Sequence, residues 1–552
     1  MANISVGHCK ISNIIQDAEN GQMKIPQFQR QFVWSVDDCA KLMDSILKGY
    51  PVGSFIYWKT KTALRVVRNI GGFNFPIVPD DDYAFYILDG QQRITSIIAS
   101  VTGQKIDNDD YSRIFVNLKA NVDEDIVITD IKDFKEDEYI PLKDVYNPDL
   151  AAIVHKYPNS VDIISDYINK LKGYEFSKIE LSDAELDVAT EVFTRINTSG
   201  KRLTIFEIMC ARMYNESPEF DLYEQRQEQK NNWQISSYDT IDDITVLQAV
   251  SVCLRKDCRG KTILSLNKDD FIRIWNEVDK AFDETIDYFR GTYKIPVSKL
   301  VPYDALFVPF VYYFYKKKKQ RPSGNEQKYL RDYFWRSAFS SRFTEGAVSK
   351  INQDIVDVID VILAGKRPSY EQGLVITEDS IKREGGFSAG SAYIKGILNV
   401  LCSKGPLSFI DGHKVTIDNS WLSQGNSKNY HHFFPKDYMK KNKPEIDERL
   451  VNHIVNITIV DGWLNKGKIK AKAPSEYMKE FKDLNKDIDS HMKTHLIDDL
   501  YDFGVFKDDY ENFFKHRIEA IHKEMVALID PHENDELRFK INSAKDSQEN
   551  TI

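Results

Sequence analysis

The stretch His431-His432-Phe433-Phe434-Pro435 most constrains how the C-terminal part of this chain folds. Two adjacent histidines that enter a strand ending at a proline have few structural uses. Downstream, Asn456 lies in the apolar run 455–460, and Asn465 lies in the segment 464–468. The apolar run is typical of a strand, and the later segment is typical of a helix start. We therefore expect the order strand, loop, strand, helix in this region.

Histidine and asparagine in this order suit the hydrolysis of a phosphodiester. That reaction needs a base that deprotonates water and a cation that stabilises charge on the phosphate. Neighbouring residues of a strand point to opposite faces, so His431 and His432 would have different tasks. One division makes His431 the metal ligand and His432 the general base, since imidazole titrates near about pH 6.5. Asn465 would give an amide oxygen to Mg²⁺ or Mn²⁺, and Asn456 would hold the loop or orient the base.

The alternative is that both histidines are hydrogen-bonded core residues, because asparagine-rich turns are common. The ordered set of His pair, Asn-bearing strand and Asn-Lys helix start favours the nuclease hypothesis. Residues 436–472 carry eight Lys and one Arg against five acidic residues, whereas the whole chain has a formal net charge of −10. This local excess of positive charge suits phosphate contact, and we expect Lys466 and Lys468 to contact DNA.

A second polar motif, Asp89-Gly90-Gln91-Gln92-Arg93, follows the apolar run 83–88 and precedes isoleucines at helical spacing. The pattern predicts a strand, a sharp turn and a helix. A helix N-terminus favours an anion, and Gly90 lets the backbone come close to a phosphate. Arg93 would clamp the phosphate, and Asp89 would hold a metal or polarise water. The alternative is an ordinary helix with Asp89 as its N-cap.

Two further polar junctions accompany this motif. Residues 25–34 contain Arg30, and residues 192–204 contain Arg195 and Asn197. Such side chains are expensive to bury unpaired, so three junctions of this kind predict a shared polar pocket. The sequence has no GxxxxGK[ST] motif, which excludes a P-loop nucleotide site.

The C-terminal motifs resemble those of the HNH, or His-Me finger, nucleases, whose site has the ββα-metal plan. Within that group they are similar to the C-terminal domains of GmrSD-type restriction enzymes, and Pro474-Ser475-Glu476-Tyr477 completes the pattern. The sequence departs from it at Tyr430, where many relatives have an acidic residue. The resemblance implies that His431 and Asn465 bind the metal, that His432 is the base, and that Asn456 belongs to the catalytic set.

The N-terminal motifs resemble the first domain of the same GmrSD-type proteins, which is related to the ParB and sulfiredoxin fold. IPQFQRQFVW, DGQQR and FTRINTSGKRLT occur in the family order. The resemblance implies a site that binds or hydrolyses an NTP, with GTP as the expected nucleotide. Its residues would be Asp89, Gly90, Gln91, Gln92 and Arg93, with Arg30, Arg195 and Asn197 nearby.

A chain of 552 residues is too long for one core, and its 42% hydrophobic and 29% charged residues are ordinary for a globular protein. We expect an α+β multidomain protein without a signal peptide or a membrane span. Six scattered cysteines favour a reducing cytoplasm. The expected parts are a ParB/sulfiredoxin-like domain in residues 1–205, a helical middle region in 206–404, an HNH nuclease domain with flanking helices in 405–532, and a frayed polar tail in 533–552.

Taken together, the resemblance implies a nucleotide-regulated, metal-dependent DNA endonuclease or nickase of prokaryotic anti-phage defence. The resemblance also implies that modified phage DNA is the target. The acidic net charge is unsuited to indiscriminate DNA coating, and it favours a protein that reads a particular feature of its target. Self-association and partner defence proteins are left open. Two alternatives also remain: a non-catalytic regulator that binds nucleotide or DNA, and an RNA-cleaving toxin.

Overall fold

The structure is a computed structural model that describes residues 3–26, 32–61, 66–67, 69–70, 73–74, 82–106, 109–121, 124–182, 184, 188–189, 192, 196, 204–216, 219–318, 320–419, 430–462 and 464–538. The chain divides into two compact units, Met1–Leu222 and Tyr223–Ile552. Both mix helices and strands, which confirms the expected α+β multidomain class. Among the described residues, no helix is both long and apolar enough to cross a bilayer.

The first unit is built around a mixed sheet with the order β1-β13-β3-β7-β2-β4. Pairs β13/β3 and β2/β7 are parallel, and the other neighbours are antiparallel. A second, antiparallel sheet has the order β11-β10-β12. The strands are β1 (Asn3–Lys10), β2 (Met23–Pro26), β3 (Ser54–Thr60), β4 (Val66–Val67), β5 (Asn69–Ile70), β6 (Phe73–Asn74), β7 (Ala84–Asp89), β8 (Lys105–Ile106), β9 (Asp109–Asp110), β10 (Phe115–Asn117), β11 (Val127–Ile128), β12 (Tyr139–Pro141), β13 (Glu175–Ser182), β14 (Asn215–Glu216) and β15 (Glu219–Phe220).

Helices cover one face of the six-stranded sheet and form the main core of this unit. Phe55 and Ile87 of the sheet share that core with Ile97 of the third helix. Trp58 and Tyr86, which point to the other face, belong to a smaller buried cluster. The helices are α1 (Ile11–Glu19), α2 (Val36–Leu47), α3 (Gln91–Thr102), α4 (Leu142–Tyr146), α5 (Leu150–Lys156), α6 (Val161–Gly173) and α7 (Ile205–Met213), with a 3₁₀ turn at Tyr111–Arg113.

The second unit is mostly helical, with an aromatic core in which Phe289 packs against Phe310 and Phe334. Its helices are α8 (Leu222–Gln234), α9 (Asp243–Arg255), α10 (Gly260–Leu264), α11 (Lys268–Gly291), α12 (Phe307–Lys317), α13 (Asn325–Phe339), α14 (Ala347–Asp354), α15 (Asp360–Leu363), α16 (Glu378–Glu384), α17 (Ala392–Ser403), α18 (Lys436–Asn442), α19 (Glu448–Val451), α20 (Pro474–Leu484), α21 (Ile488–Lys493) and α22 (Tyr510–Ala527). Turns of 3₁₀ type lie at Ser298–Leu300, Asp304–Leu306, Ile454–Asn456 and Val505–Lys507, and π-helical stretches at Ile355–Ile359 and Leu464–Ile469.

A two-stranded antiparallel sheet, β16 (Tyr430–His432) and β17 (Ile457–Ile459), lies against the last helix. We call this strand pair the hairpin, although a long helical connection joins its strands. Phe513 of α22 stacks face to face on Phe433, with ring centroids 4.9 Å apart. The buried guanidinium of Arg517 donates to the backbone carbonyl of Ile457 at 3.0 Å. Helix α22 therefore fixes the hairpin through both ring packing and a hydrogen bond to β17.

Of the polar tail expected in residues 533–552, the structure describes residues 533–538, and residues 539–552 lie outside the described part of the chain. Asp535 has a side-chain exposure of 1% and forms an ion pair with Arg336 of α13. Glu536 exchanges backbone hydrogen bonds with Leu374 and Ile376, at 2.9 and 2.8 Å. The polar composition suggested fraying, but the buried ion pair of Asp535 and the backbone bonds of Glu536 together hold this segment against distant parts of the second unit.

Candidate functional site

The strand order expected around the His pair is present in the structure. Tyr430 pairs with Ile459, His431 with Thr458 and His432 with Ile457 in an antiparallel register. The connection between the strands holds α18 and α19, and the π-helical stretch and α20 follow β17. Asn456 ends a 3₁₀ turn one residue before β17, not within the strand as expected.

His431 points from β16 into the interior and is 1% exposed. Its ring lies against the rings of Phe409 and Tyr477, with centroids 6.3 and 5.8 Å away. This degree of burial also fits the alternative of a core histidine, so the metal role of His431 stays a prediction.

His432 points to the other side of β16 and is half-buried. Its Nε2 lies 3.1 Å from Oδ1 of Asn452. Burial lowers the pKa of the His432 imidazole to about 4, and nearby Lys436 also lowers this pKa, while the bond to Asn452 opposes the change. The ring is therefore neutral at neutral pH, the state in which imidazole accepts a proton.

Asn456 is fully buried and all its described side-chain bonds go to the backbone. Its Oδ1 accepts from the N–H of Phe434 at 2.9 Å. Its Nδ2 donates to the carbonyls of Phe434 and Val451, both at 3.0 Å. Asn456 was expected either to hold the loop or to orient the base. These bonds hold the chain that follows the His pair, which is the first of the two tasks.

The remaining predicted residues lie in the π-helical stretch Leu464–Ile469. The side chains of Asn465 and Lys466 are outside the described part of the structure, whereas Lys468 is exposed. In the described ranges, no three His, Cys, Asp or Glu side chains are grouped to hold a metal ion. That finding does not test the predicted pair of His431 and Asn465, because only one of the two is of these types.

Asn452 and Phe387 are neighbours of His432 that the sequence analysis did not identify. The Phe387 ring stands edge-on to the His432 ring, with centroids 6.4 Å apart. The segment containing Phe387 pairs with that containing Asn452 through an antiparallel bridge between Gly386 and His453. Asn452 lies four residues before Asn456, and that proximity to the expected strand was the available signal.

The second motif has the strand–turn–helix form that the sequence predicted. β7 ends at Asp89, α3 begins at Gln91, and Gly90 between them has φ of 94°. Asp89 is not the N-cap of α3, as the alternative had it. Gly90 is the cap, and the carboxylate of Asp89 accepts a hydrogen bond from Arg93 at 2.9 Å.

Arg93 binds backbone rather than pointing its guanidinium away from the protein. It donates to the carbonyl oxygens of Val52 and Ser54, at 2.6 and 3.1 Å, in addition to Asp89. The guanidinium lies so close to Gly53 that a Cβ there would collide with it. These bonds tie the start of α3 to the chain before β3, so a phosphate clamped by Arg93 would compete with them.

The predicted shared pocket is described only in part. The side-chain oxygen of Gln92 accepts from the backbone N–H of Val33 at 3.0 Å. This bond joins the polar junction in residues 25–34 to the motif that contains Gln92. Arg30, Arg195 and Asn197 lie outside the described residues, so their placement at this pocket stays a prediction.

We expect Gly90→Ala to weaken the start of α3 much more than Gly49→Ala weakens the end of α2. Both glycines have positive φ, which disfavours alanine by roughly 1–2 kcal/mol. A Cβ on Gly90 would also meet Phe55 at 2.5 Å, whereas a Cβ on Gly49 meets nothing within 4 Å. Hydrogen exchange of the α3 amides in Gly90→Ala and of the α2 amides in Gly49→Ala measures the difference, and an equal loss of protection in the two variants would contradict this packing.

Comparison with known proteins finds a family match in the N-terminal part. Residues 11–214 match the family described as "GmrSD restriction endonuclease, N-terminal domain". This match supports a GmrSD-type restriction protein and covers most of the first unit. The uncharacterized protein MJ0686 of Methanocaldococcus jannaschii is 22% identical over an alignment of 587 residues, which covers 94% of this chain and 97% of that protein.

Proposed function

We propose that this protein is a metal-dependent DNA endonuclease or nickase of the restriction type, with its cutting site at the β16–β17 hairpin. The observation that carries the proposal is the placement of His432, which is half-buried and anchored through one ring nitrogen at the end of a strand. Exposed Lys436, Lys440 and Lys441 on the adjacent α18 supply positive charge for a phosphate backbone. The family match of residues 11–214 supports a restriction role.

The donor types of the predicted metal set fit a divalent cation, since His431 offers an imidazole nitrogen and Asn465 an amide oxygen. A bound Mg²⁺ or Mn²⁺ would stabilise negative charge on the phosphate. His432 takes a proton from water, and the water oxygen forms a bond to phosphorus. The bond to the leaving sugar oxygen breaks, and that oxygen takes a proton from solvent. Asn456 keeps the chain after the His pair in place during this exchange.

The first unit would bind an NTP, with GTP expected, and regulate cutting. The turn at Gly90 presents the first amides of α3, a favourable environment for phosphate. Asp89 is half-exposed and lies beside that turn, where it would hold a metal or polarise water. Because Arg93 already holds the loop before β3, its contribution would be to shape the pocket.

The test is a substrate panel with the full chain: unmodified plasmid, phage genomic DNA carrying modified bases, and RNA, each with and without Mg²⁺ and GTP. We expect metal-dependent nicking or cutting of DNA, with modified DNA preferred and the rate changed by GTP. Binding without cutting would instead support a non-catalytic regulator. Loss of RNA with intact DNA would support an RNA-cleaving toxin.

A further inference from the structure

The side chain of Asn452 lies between His432 and a backbone carbonyl. Its Oδ1 is 3.1 Å from Nε2 of His432, and its Nδ2 is 3.5 Å from the carbonyl oxygen of Phe387. A carbonyl oxygen can only accept, so this contact is satisfied when the NH₂ group of Asn452 faces Phe387. The amide oxygen then faces His432.

That orientation decides which nitrogen of His432 carries the proton. An amide oxygen can only accept, so Nε2 of His432 must be the donor in their hydrogen bond. A neutral imidazole has one N–H, and its other nitrogen is an acceptor. With the proton on Nε2, the lone pair that accepts a proton is on Nδ1.

Asn452 is itself fixed from both sides by backbone pairing. The N–H of Phe387 donates to the carbonyl of Asn452 at 2.9 Å, and the N–H of Ile454 donates to the carbonyl of Gly385 at 2.8 Å. A side chain at Gly385 would collide with His453, so glycine permits this close pairing. Asn452 thus has little freedom to turn away from His432.

We propose that Asn452 is a positioning residue that locks His432 in the tautomer with its proton on Nε2, so that Nδ1 takes the proton from water. This role rests on the proposed nuclease function. It assigns to Asn452 the task of orienting the base, whereas Asn456 holds the neighbouring chain.

The first test is spectroscopic and needs no substrate. In the full chain with ring-¹⁵N histidine, at an alkaline pH where imidazole is neutral, the His432 signal is the one that disappears in His432→Gln. We expect a protonated Nε2 and an unprotonated Nδ1 in the wild type and in Asn452→Asp, whose carboxylate also accepts. Asn452→Leu is expected to give a mixture of tautomers, and Asn452→Ala serves if leucine prevents folding.

The second test is kinetic. Loss of a residue that orients a catalytic group lowers activity by roughly 10- to 100-fold. We expect Asn452→Leu to lower kcat by that factor with little change in KM, and Asn452→Asp to restore most of kcat. Asn442→Ala, an exposed asparagine of α18 in the same region, is the matched control and should behave as wild type.

The outcomes separate the two proposals. An unchanged His432 tautomer, or an unchanged kcat, in Asn452→Leu would overturn the positioning role while DNA cleavage by the wild type stood. If the wild type cuts no nucleic acid but the His432 tautomer still changes in Asn452→Leu, the nuclease function is overturned. Asn452 then positions His432 without a role in catalysis.

Discussion

His432→Ala is expected to lower the rate of metal-dependent DNA cleavage by about 10²- to 10⁴-fold, the range that a general base contributes. The reason is that the imidazole of His432 is the group placed to accept a proton from water, and alanine has no such group. The hairpin should remain folded, because the Phe433–Phe513 stack and the Asn456 bonds do not involve the His432 ring. Conversion of supercoiled plasmid to nicked product measures the rate.

The matched control for this variant is His516→Ala. His516 is a half-exposed histidine on α22 whose described contacts are with Phe503 and Glu519. The His516→Ala variant should cleave DNA at the wild-type rate. Unfolding midpoints of both variants, measured by circular dichroism, show whether a lost activity is a lost fold. Cleavage by folded His432→Ala at the wild-type rate would remove His432 from the mechanism.

Arg336→Met is expected to destabilise the second unit by roughly 3–5 kcal/mol, the effect of removing one partner from a buried ion pair. Arg336 contacts both oxygens of Asp535, at 2.6 and 2.9 Å, and both oxygens of Asp332, at 3.3 Å. Side-chain exposures of 6, 1 and 2% show that the two carboxylates would lose their cation away from water. Denaturant unfolding, with hydrogen exchange of the α13 amides, measures the loss.

Arg273→Met is the matched control, because Arg273 pairs with Asp270 at an exposed site of α11 and should not matter measurably. Equal stability of the two variants would contradict the importance of the buried network.

Asp535 makes the free energy of unfolding of the second unit depend on pH in the acid range. Burial alone would raise the pKa of the Asp535 carboxyl, but Arg336 and the N–H groups of Leu374 and His532 outweigh it and lower the pKa to about 2. A lowered acid pKa adds stability above the unfolded value of 3.8, and this stability is lost as pH falls through about 2. Asp535→Asn should therefore flatten the fall in stability between these two values. An unchanged acid slope would show that other carboxyls cause it.

Local patterns predicted the elements that carry the candidate sites. The apolar run 83–88 and the helical spacing of the isoleucines after Arg93 are local patterns, and β7, Gly90 and α3 follow them. The His pair likewise lies on a strand that pairs with the run after Asn456. In both cases the signal lay within one element and its turn.

Side-chain partners could not be predicted in the same way, because they depend on long-range packing. Arg93 binds carbonyls that lie 41 and 39 residues earlier, and Arg336 binds an aspartate 199 residues later. A periodic sequence pattern covers one element and does not indicate partners at such separations. Asn452 and Asn456 illustrate the same limit at short range. They are four residues apart, yet the side chain of Asn452 reaches His432, whereas that of Asn456, at the end of a 3₁₀ turn, bonds the backbone.

Metal dependence of the site at the His pair is tested best by measuring DNA cleavage by the wild-type chain after metal has been removed. Protein treated with EDTA and freed of the chelator is incubated with modified phage DNA, and Mg²⁺ or Mn²⁺ is then added back. We expect no cleavage before addition and nicked or cut DNA after it, with His432→Ala inactive throughout. Cleavage that persists without metal, or its absence with every metal and DNA tested, would contradict a metal-dependent nuclease site at the His431–His432 hairpin.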